Sequence, residues 1–240
     1  MDGIRLSGSV DEGLYSAYAS THAGIKDRRA EAGMFREQVL PHLPRALDSR
    51  ILELGCGQGE LLRLAQSLGY ARSEGVDRSE EQVAIARQNG VSGVSCSDVA
   101  DVLAKSAVLD CVIAFDFLEH FSRDDGLALL SQVAERLNDG GTLLLRTPNG
   151  ASPLGPYYQF GDLTHHTFYT PRSMQQAARL AGFRQARFLS CPPPIRGIKS
   201  RVRRSVIRSI GAVWTLQLIA ETGRVSGHIV TANFVSVLTK

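Results

Sequence analysis

The sequence predicts an α/β fold, in which helices cover both faces of a largely parallel β-sheet. From residue 49 onward, short apolar runs alternate with segments of helical period, and the connections between them are short. This alternation is typical of parallel strands joined by crossover helices. The chain has 240 residues, of which 43% are hydrophobic, so it can bury one sizeable core.

The predicted strands are seven apolar runs, at residues 50–55, 73–77, 94–98, 109–115, 142–147, 186–191 and 232–240. Helix signals lie between them. Ser79 and Ser122 each stand before a helical segment with a polar residue three positions later, as in a capping box, and Thr170 followed by Pro171 supplies another helix start. Glycine follows three predicted helices, at positions 69, 90 and 182, where those helices should stop.

We predict a single domain with three parts. Residues 1–48 form a helical cover, residues 49–191 and 229–240 form the core, and residues 192–228 form a basic helical insertion. Tyr15 and Tyr18 in the cover are candidates to close over a ligand. The sequence alone leaves the oligomeric state open, and a homodimer is one expectation.

Composition argues against several protein classes. No apolar run approaches the roughly 20 residues of a membrane-spanning helix, and the first residues lack the pattern of a signal peptide, so we expect a cytoplasmic protein. The four cysteines contain no C-x-x-C pair. We predict that they are reduced, buried thiols and neither disulfides nor metal ligands.

A glycine-rich loop follows the first predicted strand, in "ILELGCGQGELL". Gly55, Gly57 and Gly59 let the backbone approach a ligand closely and leave helix amides free to bind it. The spacing departs from the dinucleotide pattern, because the third glycine comes one residue early and Glu60 replaces a small residue. Glu53 and Glu60 would repel a pyrophosphate, so the pattern favours a positively charged ligand.

Two further acids end the next two strands. Asp77 can accept both ribose hydroxyls of an adenosine, and Asp98 can accept a proton from the adenine amino group. Either residue alone can equally be a strand-end cap. Together with Glu53 they line the carboxyl edge of one parallel sheet, where such folds bind ligands.

Five motifs in this order resemble those of class I S-adenosylmethionine-dependent methyltransferases: "LELGCGQGELL", "GVDRSEEQVAIAR", "SDV", "DCVIAFDFLEHF" and "LNDGGTLLLRTPN". The match covers about residues 49–190 and the last strand. The resemblance implies a Rossmann-like sheet of seven strands, the last of them antiparallel, and S-adenosylmethionine as the cofactor.

The resemblance also assigns positions in the cofactor site. It implies that Glu53, Gly55 and Gly57 hold the methionine end, with Cys56 and Gly59 in the same loop. It further implies that Asp77 and Arg78 contact the ribose and that Asp98 and Val99 contact the adenine. Phe115 and Asp116 would lie beside the methyl group.

The stretch "GDLTHHTFYTP" places an acid and two histidines before a helix that needs only its Thr170 cap. Methyl transfer to an alcohol needs a base, and histidine suits neutral pH. We therefore predict His165 or His166 as the base, oriented by Asp162. The alternative is that these side chains merely satisfy backbone amides in a long loop.

The residues expected near the methyl acceptor are compatible with several functions. The same stretch resembles "D-x-T-H-x-x-F-F-T-P" of bacterial methyltransferases in surface-glycan and natural-product sugar pathways, which implies O-methylation of a sugar hydroxyl. Tyr157 and Tyr158 are candidates to shape the acceptor pocket. Alternatives are an isoprenoid-quinone or other phenol O-methyltransferase, a non-catalytic S-adenosylmethionine-binding module and, more distantly, a nicotinamide oxidoreductase. No ligand spacing demands a metal, so we predict none.

A basic segment precedes the last strand. The net charge is +3, yet no acid lies between Asp162 and Glu221, a span with ten basic residues. Residues 195–218 can form a basic amphipathic helix with Trp214 as anchor, which suggests peripheral contact with the inner face of a membrane. The alternative is a helix packed on the domain or at a dimer interface. We expect no nucleic acid partner, because aromatics are not interleaved with the arginines.

Overall fold

The computed structural model describes residues 28–240, and side chains from residue 31. The first part of the predicted cover lies outside these residues, and so do Tyr15 and Tyr18. Its described part contains α1 (Arg28–Met34), a π-helical turn (Phe35–Val39) and a 3-10 turn (Leu40–His42). Within residues 28–240, no helix is both long enough and apolar enough to cross a bilayer.

Seven strands and seven further helices follow in the described chain. The strands are β1 (Ile51–Leu54), β2 (Ser73–Asp77), β3 (Val94–Cys96), β4 (Leu109–Phe115), β5 (Leu137–Pro148), β6 (Gln185–Ser190) and β7 (Asn233–Thr239). The helices are α2 (Glu60–Ser67), α3 (Glu80–Gln88), α4 (Val99–Lys105), α5 (Arg123–Arg136), α6 (Gly155–Gln159), α7 (Pro171–Leu180) and α8 (Ile198–Thr222), and a 3-10 turn spans Leu118–His120.

The sheet order is β3-β2-β1-β4-β5-β7-β6. Strand β7 runs antiparallel to both of its neighbours, and the other pairs are parallel. This arrangement confirms the predicted seven-stranded, mostly parallel sheet. Because β1 lies between β2 and β4, the chain reverses its winding there, and the carboxyl ends of these strands open into one crevice.

The sheet is covered on both faces, as a parallel sheet requires. Along β4, Val112 and Ala114 belong to the core formed with α4, α5 and α7, whereas Cys111 and Ile113 belong to the core formed with α2 and the turn that contains Phe35. Successive strand residues point to opposite faces, so alternate side chains supply the two cores.

Helix ends follow the sequence signals closely. The hydroxyls of Ser79 and Ser122 accept from the backbone amides three residues later, and Thr170 forms a complete capping box with Ser173. Glycines at 69, 90 and 182 have φ of 99°, 78° and 96°, which favours glycine where these helices stop.

Two predictions need correction. Strand β5 begins at Leu137 and not at Thr142, because the chain turns directly from α5 into the sheet and Leu137 pairs with Leu109. All four cysteines are free, as predicted, but Cys96 is exposed at the end of the short edge strand β3 and Cys191 is only half-buried.

Candidate functional site

The glycine loop joins β1 to α2 in a conformation that favours glycine. Gly55, Gly57 and Gly59 have φ of 68°, 50° and 74°. A Cβ atom on Gly55 would lie 2.5 Å from Cδ2 of Phe117, so the Phe117 ring packs directly against the loop. A side chain at Gly55 would therefore be strained by both its backbone angle and this contact.

Asp77 fixes the shape of this loop. One carboxylate oxygen accepts from the amide of Gly57 at 2.8 Å, and the other accepts from the amide of Ser79 at 2.8 Å. Each carboxylate oxygen has a second acceptor position, which can take a ribose hydroxyl. Asp77 thus holds the loop and stays able to bind the expected nucleoside.

Buried groups lie beside the loop. Glu53 is 4% exposed at the end of β1, and Cys56 is 6% exposed. Burial, then the charges of Glu53 and Asp77, raise the pKa of the Cys56 thiol well above its usual range. The thiol therefore remains protonated, and Cys56 is a packing residue and no nucleophile.

Beyond Asp77, the carboxyl edge is more open. Asp98 is exposed and caps α4 by accepting from the amide of Ala100 at 2.8 Å. Val99 beside it is buried, whereas Arg78 is exposed. These positions leave Asp98 accessible to an adenine, and its cap contact uses only one oxygen.

At the end of β4, a charged pair lies beside Phe115. Nε of Arg146 donates to Asp116 at 2.9 Å, with a second contact from its Nη2, and the guanidinium lies 5.0 Å from the Phe115 ring centroid. Asp116 has a positive φ of 51°, which is uncommon for aspartate. The sequence analysis gave Arg146 no role, although a single charge within the apolar run "TLLLRT" is a signal that it pairs with another group.

The acid-and-histidine segment is folded against itself. Nδ1 of His165 lies 3.1 Å from the carbonyl oxygen of Tyr158, and Nε2 lies 3.9 Å from Oδ2 of Asp162. The His165 side chain is 11% exposed. The structure thus brings Asp162 and His165 together, whereas the His166 side chain is exposed.

This segment is anchored to the 3-10 turn after β4. Thr164 donates to Asp162 from its amide at 2.9 Å and from its hydroxyl at 2.7 Å, and the same hydroxyl lies 2.8 Å from Nδ1 of His120. The amide of His166 donates to the carbonyl of Glu119 at 2.8 Å. His120 and the backbone of Glu119 therefore hold the segment in place.

Glu119, like Arg146, was not predicted from the sequence. It is 1% exposed, and burial followed by the charge of Asp116 raises the pKa of its carboxyl well above the usual range. Its Oε2 has no hydrogen-bond partner among the described residues. The adjacent glutamate and histidine in "DFLEHF" are the sequence signal that could have indicated a functional role for Glu119.

Glu119, His120 and His165 can be considered together. Each offers one ligand atom, and these atoms lie within 4.8 Å of one another, so this group can hold a metal ion. Burial and the neighbouring His165 lower the pKa of His120, which keeps its imidazole neutral. The expectation that the protein needs no metal stays a prediction.

Comparisons with known proteins extend this description. Residues 25–186 match the profile of a family described as a methyltransferase domain. A ribosomal protein L11 methyltransferase of Pelobacter propionicus is 31% identical over 114 residues, which are 45% of this chain and 35% of that protein. The match therefore spans about a third of the length of this curated relative.

Solved structures share the fold. A SAM-dependent methyltransferase from Archaeoglobus fulgidus superimposes with a TM-score of 0.68 at 22% identity, over 94% of this chain and 99% of that one. The plantazolicin methyltransferase BpumL in complex with SAH superimposes with a TM-score of 0.58 at 15% identity, over 97% and 91% of the two chains. At such identities the likeness establishes the fold alone.

Proposed function

This chain belongs to the methyltransferase domain family and uses S-adenosylmethionine as its methyl donor. We propose that its acceptor is an alcohol oxygen, specifically a sugar hydroxyl of a glycan, glycolipid or natural product. The observation that carries this proposal is the placement of His165 between the carbonyl of Tyr158 and the carboxylate of Asp162. A sugar hydroxyl is a poor nucleophile unless a base removes its proton.

The residues at the carboxyl edge fit the cofactor. S-adenosylmethionine supplies a methyl group bonded to a positively charged sulfur. Glu53 and Asp77 provide negative charge beside the glycine loop, and this charge suits a sulfonium better than a pyrophosphate. Asp77 is held in place by two backbone amides, so it can bind a ribose without rearrangement.

His165 is the proposed base. When Nδ1 carries the proton and donates a hydrogen bond to the carbonyl of Tyr158, the lone pair of Nε2 can accept the proton of the acceptor hydroxyl. The imidazolium that forms is then stabilised by Asp162, 3.9 Å away. His166 is the weaker candidate, because its side chain is exposed.

A phenol or quinol acceptor is the second candidate, and an apolar patch favours it. Four large side chains after β5 are exposed by between 39% and 82%: Tyr157, Tyr158, Phe160 and Leu163. They can contact an aromatic ring or a prenyl chain near the acceptor side. A phenol loses its proton more readily than a sugar hydroxyl, so it depends less on a base.

Product analysis with a panel of sugars and phenols tests the proposal. Incubation with S-adenosylmethionine should release S-adenosylhomocysteine and methylate a sugar hydroxyl, detected by mass spectrometry. Replacing His165 with Gln should abolish methylation of the sugar, whereas methylation of a phenol by the same variant should be largely retained. Calorimetric binding of S-adenosylhomocysteine without methylation of any acceptor would instead indicate a non-catalytic module.

A further inference from the structure

Helix α8 has an unusual surface. It runs for 25 residues from Ile198 to Thr222, and none of them is buried. It connects β6 to β7 at the carboxyl edge of the sheet, where a short loop would suffice. Because no residue of this long helix is fully buried, its exposed apolar side chains require another explanation.

One face of α8 rests on the domain. Arg204 donates to Glu37 at 2.9 Å, and a Cβ atom on Gly211 would lie 3.1 Å from Cγ2 of Val230. Thr215 and Leu218 follow at helical spacing and are half-buried. These positions define the inner face of the helix.

The opposite face carries an apolar stripe. Successive helical residues are about 100° apart, so positions separated by three or four residues share a face. The members of the stripe are 51% to 80% exposed: Ile198, Val202, Val206, Ile210, Val213 and Leu216. These six large apolar side chains form a stripe turned away from the domain, which Lys199 and Ser209 interrupt.

Cations border this stripe on both sides. By helical spacing, Arg203 lies at one border with Lys199 just inside it, between Val206 and Ile210, and Arg201 and Arg208 lie about 60° to 80° beyond the other border. None of the four forms an ion pair with a residue in the described part of the chain. The only acid in α8 is Glu221, near its end.

A second apolar region lies at the same edge of the sheet. Leu154, Tyr157, Phe160 and Leu163 follow the carboxyl end of β5 and are 56% to 82% exposed. Ala151, at the start of this region, lines one cleft of about 430 Å³ together with Leu218 and Thr222 of α8. The end of α8 therefore adjoins the start of the apolar region.

We propose that α8 docks on the surface of an anionic lipid bilayer. The apolar stripe would enter the boundary between headgroups and acyl chains, and the bordering cations would contact lipid phosphates. Arg204 is bound to Glu37, and this ion pair holds the helix on the domain as it docks. Docking turns the carboxyl edge of the sheet, and with it the acceptor side, toward the membrane.

Charge argues against the alternative of a two-fold dimer through this face. In such an interface the same surface meets itself, and α8 offers Glu221 as its only acid to the four bordering cations of the other chain. A nucleic acid would bind the cations but would leave the stripe exposed to water. An anionic bilayer matches both the apolar stripe and its charged borders.

Vesicle binding tests this proposal, and the only tryptophan of the chain, Trp214, lies on α8 and reports on it directly. Vesicles of phosphatidylglycerol and phosphatidylcholine should co-sediment the protein and shift Trp214 emission to shorter wavelength, whereas pure phosphatidylcholine should not. The double variant Val206→Asp, Ile210→Asp should weaken binding roughly tenfold or more. Leu47→Asp, Val108→Asp, two exposed apolar residues at the opposite edge, is the matched control and should bind as the wild type does.

Three results would overturn the proposal. The first is no vesicle binding by a protein that still binds S-adenosylhomocysteine in calorimetry, which shows that it is folded. The second is a dimer that the stripe variant converts to monomer in analytical ultracentrifugation, without vesicle binding. The third is equal vesicle binding by wild type and the stripe variant. Methylation of a soluble acceptor requires no vesicles, so failure of the proposed function remains distinguishable.

Discussion

The glycine loop and the acid-and-histidine segment hold their polar side chains in different ways. At the loop, Asp77 binds backbone amides of Gly57, 20 residues away, and of Ser79, 2 residues away. In the segment, Thr167 donates to the carbonyl of Phe121 and His120 contacts Thr164, across 46 and 44 residues. One site follows from neighbouring strand ends, and the other from long-range packing of a loop.

This difference separates the proposed cofactor site from the proposed acceptor site. Parallel strands place their carboxyl ends side by side, so any protein with this sheet and these acids forms the first site. The second site depends on where one particular loop packs. The acceptor side can therefore change between relatives while the cofactor side stays the same.

The largest expected effect is on the acceptor side. His165→Gln should lower kcat/KM for a sugar acceptor by about 100-fold or more, because it removes the proposed base, and should leave the dissociation constant of S-adenosylmethionine unchanged. His166→Gln is the matched control and should keep activity within about threefold, since its side chain is exposed. Equal losses in the two variants would show that neither histidine acts as the base.

On the cofactor side, Asp77→Asn should weaken binding of S-adenosylhomocysteine by roughly 10-fold to 100-fold in calorimetry. The amide group retains one acceptor oxygen, so one of the contacts to Gly57, to Ser79 or to a ribose is lost. Asp101→Asn, an exposed acid on α4, is the control and should change nothing. Unchanged affinity in Asp77→Asn would remove this residue from the cofactor site.

A smaller effect separates backbone strain from side-chain contact in the glycine loop. Gly55→Ala should lower the free energy of unfolding by about 2 kcal/mol or more, since it adds a contact with Phe117 to the strain of a positive φ. Gly90→Ala has a similar φ but no neighbour within 4 Å, so it should cost only the backbone strain, about 1 kcal/mol. Urea denaturation measures both, and equal losses would mean that the contact with Phe117 is easily relieved.

Sequence reasoning predicted the sheet and the glycine loop better than it predicted the packing of the acid-and-histidine segment. The strands, the helix caps and the glycine loop follow from local patterns, such as Ser79 before a helix or Gly55 after a strand. It did not find Glu119 and Arg146, because their partners are distant in sequence: Arg146 meets Asp116, 30 residues away. It also left His165 and His166 equivalent, since only packing makes one half-buried and the other exposed.

The pH dependence of stability isolates Glu119, which is buried against the acid-and-histidine segment. Its folded-state pKa is raised above the unfolded value, so the folded protein binds its proton more tightly. Its contribution to stability is full below the unfolded pKa of about 4.3 and is lost as pH rises toward the folded value. Glu119→Gln stays neutral, so its unfolding free energy should fall less than that of the wild type as the pH is raised from about 5 to about 8.

Urea denaturation at several pH values, with a chelator present, measures the free energy of unfolding of the wild type and of Glu119→Gln. Glu135→Gln, on α5, is the control, and its stability should depend on pH as that of the wild type does. Parallel curves for Glu119→Gln and the wild type would show that this carboxylate is ionised at little cost. Restoration of wild-type stability at about pH 8 by an added divalent cation, absent in Glu119→Gln, would instead mean that an ion bound by Glu119, His120 and His165 compensates the buried charge. The acceptor side would then contain a metal, against the expectation from sequence, whereas the glycine loop would be unaffected.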